Sequence, residues 1–183
     1  MLCMKEVVWV YGVSAAGKAT FIKHVTNGDS EVLRQTLGWQ GKVIAACQES
    51  IEWVGKYVGD PIVEHRARLI PKIQAMVEHA DVVLIKGQSV DLAANRPNQL
   101  LAAVPECRHR VIYITTNIAE LMQRLPKKPW WDGTDTAKSI SAWVDYELTL
   151  LQRLAPKFEF TAIDSSANNG YSLTQLPVQL QKI

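Results

Sequence analysis

Residues 12–20 read Gly12-Val13-Ser14-Ala15-Ala16-Gly17-Lys18-Ala19-Thr20, and this stretch decides the fold. It matches the phosphate-binding pattern G-x-x-x-x-G-K, with the hydroxyl residue Thr20 one place later than usual. The apolar, β-branched residues 6–11 before it predict a buried strand, and residues 19–25 after it predict the first turns of a helix. A strand, a glycine-containing loop and a helix in this order are the context in which the pattern works as a phosphate site.

The chemistry of this pattern follows from its backbone. A glycine-containing loop can wrap closely around a polyphosphate with its N–H groups pointing inward, and the following helix adds unpaired N–H groups and a positive dipole end. Residues 12–20 are therefore the predicted nucleotide-binding residues, and Lys18 is predicted to place its ammonium on the β- and γ-phosphates. The alternative is a tight strand-to-helix turn that happens to contain glycine and lysine.

Composition places the chain among ordinary globular proteins. Its 183 residues suit a single domain, 1–183, and 48% of them are apolar. A net charge of +2 is too small to indicate a surface for nucleic acid. The three cysteines have no paired spacing, which favours a reducing compartment, and no segment approaches the roughly 20 apolar residues of a membrane span. We therefore expect a cytoplasmic protein with neither a membrane nor a nucleic acid as partner.

Strand-like and helix-like segments alternate along the whole chain. Strands are predicted at 6–11, 42–47, 81–86, 109–115 and 158–164. Helices are predicted at 18–27, 31–37, 60–77, 92–104, 117–124 and 137–154, with a last one beginning near Leu173. This alternation predicts an α/β fold with a five-stranded parallel sheet covered on both faces, whose ligands bind beyond the carboxyl ends of the strands.

The glycine loop, the five alternating strands and a late polar loop together resemble the P-loop kinases of the adenylate, gluconate and shikimate kinase type. In particular, Gly17-Lys18-Ala19-Thr20 resembles the Gly-Lys-Gly-Thr of adenylate kinases, in which the position after the lysine also lacks a hydroxyl. The resemblance implies the three-layer α/β/α fold of P-loop NTPases and the binding of ATP and Mg²⁺. It also implies that Thr20 serves, in part, as the metal ligand.

A basic, aromatic segment follows the fourth predicted strand and its helix. In the kinases that the chain resembles, a helix ending in arginine leads into a lid. The helix end at Arg124 is similar, and residues 126–136 would form the lid-like loop. The resemblance then implies that Arg124, Lys127 and Lys128 stabilise charge on the transferred phosphoryl group. A solvated basic loop is the alternative interpretation.

The acidic residue that usually supports Mg²⁺ is not at its usual place. The third predicted strand ends at Lys86, where such enzymes commonly carry an acid at or just beyond the strand end. Glu49, after the second strand, is a candidate substrate ligand or base that orients an acceptor hydroxyl, or else a surface carboxylate. Asp91 is the other acidic alternative, unless it caps the following helix.

Arg66 is the candidate ligand for the acceptor. It lies between the second and third predicted strands, where related kinases bind their acceptor substrate. A guanidinium group there would hold a phosphate or carboxylate bidentately. The alternative is an arginine at the edge of an apolar helix face, with its stem packed along that face.

These features favour an ATP-dependent phosphotransferase that passes the γ-phosphoryl group of Mg-ATP to a small-molecule acceptor, either a nucleotide or a small hydroxylated metabolite. Its expected partners are the nucleotide and that acceptor. The alternative function is a nucleotide-binding ATPase or sensor with little or no kinase activity, which Lys86 and Ala19 both favour. A GTPase is disfavoured because no Asn-Lys-x-Asp motif occurs. The sequence leaves open the identity of the acceptor, the choice between ATP and GTP, and the acidic ligand of Mg²⁺.

Overall fold

A computed structural model describes residues 4–47, 68–129, 131–166 and 170–181, so the predictions for Glu49, Arg66 and the helix at 60–67 lie outside the described residues. The strands are β1 (Glu6–Tyr11), β2 (Ile44–Cys47), β3 (Val82–Lys86), β4 (Arg108–Thr115), β5 (Glu159–Asp164) and β6 (Ser172–Thr174). The helices are α1 (Lys18–Asn27), α2 (Glu31–Thr36), α3 (Leu69–His79), α4 (Ser89–Ala93), α5 (Arg96–Ala103), α6 (Ile118–Arg124), α7 (Ala137–Gln152) and α8 (Val178–Gln181). None of the helices within these ranges is long and apolar enough to cross a membrane.

The sheet has the order β2-β3-β1-β4-β5-β6, with β1 at its centre. Strand β1 is buried along its whole length and pairs in parallel with β3 and β4, so that Val8 lies between Leu84 and Arg110. Strands β2 and β5 extend the parallel arrangement outward. Because all five parallel strands end at the same edge, the loop after β1 lies beside the segments that follow β3 and β4.

The prediction of a sheet with five parallel strands was wrong in one respect. A sixth strand, β6, pairs antiparallel with β5, and Ile163 stands opposite Leu173. The helix predicted near Leu173 is therefore a strand, and the last described helix begins only at Val178. Strand β6 has three exposed residues, which are too few to produce a recognisable alternation of apolar and polar side chains. Gly170, with φ of 62°, precedes this returning strand.

Two apolar cores flank the sheet, because alternate side chains of a strand point to opposite faces. Trp9 and Tyr11 of β1 contribute to the core that contains α3 residues such as Ile73. Val8 and Val10 contribute to the core that contains Phe21 of α1. The result is an α/β architecture with helices packed on both faces of the sheet.

Local signals in the sequence correctly marked most helix ends. Gly28 ends α1 with φ of 76°, and the side chain of Asn117 accepts a hydrogen bond from Glu120 N (2.7 Å) at the start of α6. The predicted helix at 92–104 is instead two helices, α4 and α5, separated at Asn95, whose φ is 56°. Asp91 caps α4, since its Oδ2 accepts from Gln88 N (2.9 Å).

Candidate functional site

The loop of residues 12–17 turns sharply between β1 and α1. Gly12, Ala15 and Gly17 have φ angles of 140°, 67° and 103°, and Ala16 N donates to Val13 O (3.1 Å). Gly12 also has no room for a side chain, because a Cβ there would lie 2.7 Å from the carbonyl oxygen of Ile114. Helix α1 begins directly after the loop, at Lys18. The loop therefore has the strand-to-helix position that phosphate binding requires.

Residues from three other segments hold this loop by its carbonyl groups. Thr116 Oγ1 donates to Ala16 O (3.1 Å), and the hydroxyl of Ser165 donates to the same carbonyl. Tyr171 OH donates to Gly17 O (2.9 Å). None of these three residues was predicted from the sequence as part of the site. For Thr116 and Ser165, the signal is their place directly after β4 and β5, at the sheet edge where ligands bind, whereas Tyr171 directly precedes β6, which was not predicted.

Arg124 contacts the back of the loop. Its Nε bonds Glu120 Oε1 (3.0 Å), and its Nη2 donates to the carbonyl of Ser165 (2.5 Å). Its Nη1 lies 3.4 Å from the carbonyl oxygens of Ala15 and Ala16. These contacts hold the guanidinium in one position beside the loop, at the place where α6 ends.

A cavity of about 380 Å³ opens in front of the loop. It is lined by Ser14, Ala15, Gly17, Lys18, Ala19, Thr20, Lys86, Arg124, Lys127, Lys128 and Tyr171. Every charged side chain among these described lining residues is a cation: Lys18 from α1, Lys86 from the end of β3, and three cations from the segment 124–128. The fold thus brings together, around one cavity, the glycine loop and the basic segment that lie a hundred residues apart in the chain. Such a lining suits a polyanion.

Lys18 is half-buried, and its ammonium lies against the loop. Its Nζ donates to Val13 O (3.1 Å) and also to Gly12 O. Burial lowers the pKa of Lys18 from 10.5 to about 8; the nearby Glu147 carboxylate opposes this shift, whereas Lys86 and Lys128 add to it. The lysine is therefore charged below pH 8 and titrates within an experimentally accessible range.

This pKa leads to a testable pH dependence. A polyphosphate bound in this cavity would favour the ammonium form of Lys18 and raise its pKa, so we expect its affinity to be fully present below pH 8 and to fall as the pH rises above the pKa of about 8 in the free protein. We expect the affinity for ATP to decrease by up to about tenfold between pH 8 and pH 9.5, measured by calorimetry at constant ionic strength. A Lys18→Arg variant should lose this dependence, because a guanidinium stays protonated. A pH-independent affinity in the wild-type protein would contradict the prediction.

Glu147 is the acidic residue that the sequence analysis missed. It lies on α7, is 4% exposed, and its Oε2 accepts from Ser89 Oγ (3.3 Å). Burial raises the pKa of the Glu147 carboxyl, and the Lys18 charge, the Gly12 backbone and Ser89 oppose that shift. The signal in the sequence that indicates its burial is its spacing, because it lies seven residues after the buried Ile140 and next to the buried Leu148 on the same helix.

The residues present fit a polyphosphate better than they fit a metal ion. The loop backbone and the five lining cations suit phosphate oxygens. For Mg²⁺, the described lining offers the Thr20 hydroxyl, while Ala19 lacks one and Lys86 stands at the end of β3. Within the described residues, no group of three or more His, Cys, Asp or Glu side chains could hold a metal ion. The metal role of Thr20 therefore stays a prediction.

Comparison with known proteins shows the fold. No protein-family model and no curated protein sequence matches the chain. Among solved structures, the shikimate kinase from Acinetobacter baumannii in complex with shikimate is similar at 16% identity and a TM-score of 0.51, covering 97% of this chain and 88% of that one. A structure of the PezAT chromosomal toxin–antitoxin system of Streptococcus pneumoniae is similar at 12% identity and a TM-score of 0.51, covering 92% and 71%.

These likenesses and the glycine loop define a P-loop kinase-like fold, which confirms the resemblance drawn from the sequence. More particularly, the chain has an α/β fold with a mostly parallel sheet similar to that of shikimate kinase. The similarity covers 97% of this chain, so the shared fold extends over nearly its whole length.

Proposed function

We propose that the protein is an ATP-dependent phosphotransferase that moves the γ-phosphoryl group of Mg-ATP to a small-molecule acceptor, either a nucleotide or a small hydroxylated metabolite. The observation that carries this proposal is the cavity in which the glycine loop of residues 12–17, called the phosphate loop from here on, faces Lys86, Arg124, Lys127 and Lys128. Phosphoryl transfer needs positioning and stabilisation of charge more than covalent chemistry, and cations in a cavity supply both.

Each predicted site residue that the structure describes has a role in this proposal. The N–H groups of the loop and the start of α1 bind the phosphates, and Lys18 leaves its loop carbonyls to contact the β- and γ-phosphates. Lys127, the last residue of a 3-10 turn (Leu125–Lys127) that directly follows α6, and Lys128 after it approach at the start of the predicted lid-like loop, whereas Arg124 contributes charge from its fixed position. Mg²⁺, when bound with the nucleotide, neutralises phosphate charge, and the Thr20 hydroxyl is the described group that would hold it.

The roles predicted for Glu49 and Arg66, as base and acceptor ligand, remain part of the proposal. What supports these roles is the topology of the described sheet: β2 and β3 are neighbours, and in the sequence Glu49 follows the end of β2 and Arg66 precedes the start of α3. An acceptor bound beside β2 would therefore be close to the cavity in front of the loop.

A nucleotide-binding ATPase or sensor is the second candidate function. It is favoured by Lys86 at the end of β3 and by the absence of a carboxylate among the described residues that line the cavity. A site of this kind binds phosphates strongly but lacks, in its described part, a base for an acceptor hydroxyl.

Calorimetric titration with ATP and with GTP, each with and without Mg²⁺, tests the proposal. Binding of ATP that Mg²⁺ strengthens supports the kinase, and acceptors are then screened by ADP release, starting with nucleoside monophosphates and small sugar acids. Binding that does not depend on Mg²⁺, with no acceptor-stimulated ADP release, would favour the sensor. If neither nucleotide binds, both candidate functions are wrong.

Replacing Lys127 and Lys128 together by alanine is expected to reduce turnover by about 10- to 100-fold and to weaken ATP affinity by less than about threefold. The reason is that lid cations act mainly on charge that develops during transfer. The measurement is ADP release at saturating ATP beside calorimetric affinity. Lys138 and Lys157, which are exposed and do not line the cavity, supply a double-alanine control with the same change in charge. Equal kinetics in the two double variants would show a solvated surface instead of a lid.

A further inference from the structure

Glu147 is a buried carboxylate beneath the phosphate loop, outside the cavity lining. Its side chain is 4% exposed, and Ser89 Oγ contacts Oε2 at 3.3 Å. Its other oxygen, Oε1, is buried and makes no hydrogen bond within 3.5 Å to a described residue, so the Gly12 backbone and Ser89 are the neutral polar groups that act on this carboxylate. A buried carboxylate costs free energy unless a nearby positive charge compensates for it.

The compensating charge is Lys18, and both side chains interact with the backbone of Gly12. The ammonium of Lys18 donates to the carbonyl of Gly12, while the backbone of the same glycine interacts with Glu147. No direct hydrogen bond between the Lys18 and Glu147 side chains occurs in the described structure, but each charge acts on the other through this buried region. Of the charged groups that act on Lys18, Glu147 attracts the ammonium and Lys86 and Lys128 repel it.

We propose that Glu147 is the internal counter-ion of Lys18: its carboxylate holds the ammonium against the carbonyls of the phosphate loop, and the phosphates of a nucleotide compete with it for that ammonium. Glu147 is thus a positioning residue that acts through Lys18. The competition, though not the pairing itself, rests on the proposed function as a nucleotide site.

The charges around Lys18 explain why a carboxylate near it is favourable. Lys18 is surrounded on the cavity side by other cations, so without a negative charge behind it the ammonium would be repelled and disfavoured by burial. The carboxylate on α7 offsets that cost in the empty site. A ligand must then supply enough negative charge to draw the ammonium forward, so the measured affinity is lower than the cations alone would produce.

The pairing is tested first without any nucleotide, by thermal unfolding of Lys18→Met, Glu147→Gln and the double variant. In the presence of Lys18, Glu147→Gln should lower the Tm. In the Lys18→Met background, where the buried carboxylate has lost its counter-ion, the same change should raise the Tm by about 2–4 °C. If Glu147→Gln shifts the Tm by the same amount in both backgrounds, the pairing is wrong. If Glu147→Gln folds only together with Lys18→Met, the pairing is supported, and if neither variant folds, Glu147 serves the fold independently of Lys18 and the proposal is wrong.

The competition is tested by calorimetric affinity for ATP. Glu147→Gln should bind ATP about three- to tenfold more tightly than the wild-type protein, and this gain should vanish in the Lys18→Met background. Asp145→Asn, an exposed residue on the same helix, removes an equal charge and should leave the affinity unchanged. Unchanged or weaker binding by folded Glu147→Gln would overturn the competition. If the wild-type protein binds no ATP, the proposed function fails, whereas the Tm comparison still decides the pairing.

Discussion

Lys18→Ala is expected to abolish phosphoryl transfer and to weaken ATP binding by roughly 100-fold. In the proposed function, the ammonium at this position leaves the loop carbonyls and contacts the β- and γ-phosphates, and hydrogen bonds to charged groups contribute about 1.5–3 kcal/mol each. Alanine removes the charge together with the hydrogen bonds that the side chain donates to the carbonyls of Gly12 and Val13, which are its hydrogen bonds within the described residues. The loss should therefore appear in binding and turnover with the secondary structure retained.

Lys23→Ala is the matched control for this experiment. Lys23 lies on the same helix and is exposed, so its removal changes the net charge equally but leaves the cavity lining intact. Calorimetric affinity and ADP release measured on both variants separate a local contact from the general field of the protein. Undiminished ATP affinity in Lys18→Ala would show that residues 12–20 are not a working phosphate site.

Gly12→Ala is expected to destabilise the protein by more than about 2 kcal/mol and to eliminate nucleotide binding. The new Cβ would lie 2.7 Å from the backbone oxygen of Ile114, 3.2 Å from Ala16 Cβ and 3.3 Å from Ile114 Cβ, so the loop or the end of β4 has to move. The φ of 140° adds strain for any residue with a side chain. Since the loop amides bind phosphate only in one arrangement, this movement also removes the site.

Gly38→Ala shows what backbone conformation costs without a collision. Gly38 has φ of 74°, but a Cβ there would meet nothing within 4 Å, so we expect a loss of only about 1 kcal/mol. Both variants are compared by urea unfolding, with calorimetric ATP affinity as the second measurement. Equal losses for the two glycines would mean that close packing against Ile114 does not constrain the phosphate loop.

The position of Glu147 illustrates how far the sequence could predict the site. The spacing of apolar residues in the long helix predicts one buried face formed by Ile140, Trp143, Val144, Leu148 and Leu151. In the structure, however, Trp143 is 39% exposed and Glu147 is buried. On a helix both residues lie close to the stripe formed by Ile140, Val144 and Leu151, and hydrophobicity alone favours the tryptophan. The carboxylate can be buried because Ser89 and the charge of Lys18, which belong to other elements, interact with it. The periodicity of a single helix carries no information about such partners.

For Asp91, in contrast, the sequence already contained the role that the structure shows. Its two possible roles were a metal-supporting acid and a helix cap. In the structure Asp91 Oδ2 accepts a hydrogen bond from Gln88 N (2.9 Å), and Oδ1 lies 3.3 Å from Arg96 Nη1. Both side chains of this pair are buried, so the cap also anchors the start of α5 to α4. A residue three positions after a helix start is a local feature, which is why the sequence already contained this possibility.

The phosphate-loop pattern, the positions of five strands and most helix ends could be predicted from the sequence, because each depends on residues close together in the chain, and the alternation of strands with helices predicted the parallel arrangement. The sixth strand, the three hydroxyl groups of Thr116, Ser165 and Tyr171 that hold the loop, and the cluster of cations around it became visible only in the three-dimensional structure. The physical reason is that burial, counter-charge and shared carbonyl acceptors arise where separate segments meet. The parallel sheet makes that meeting place the carboxyl edge of its strands.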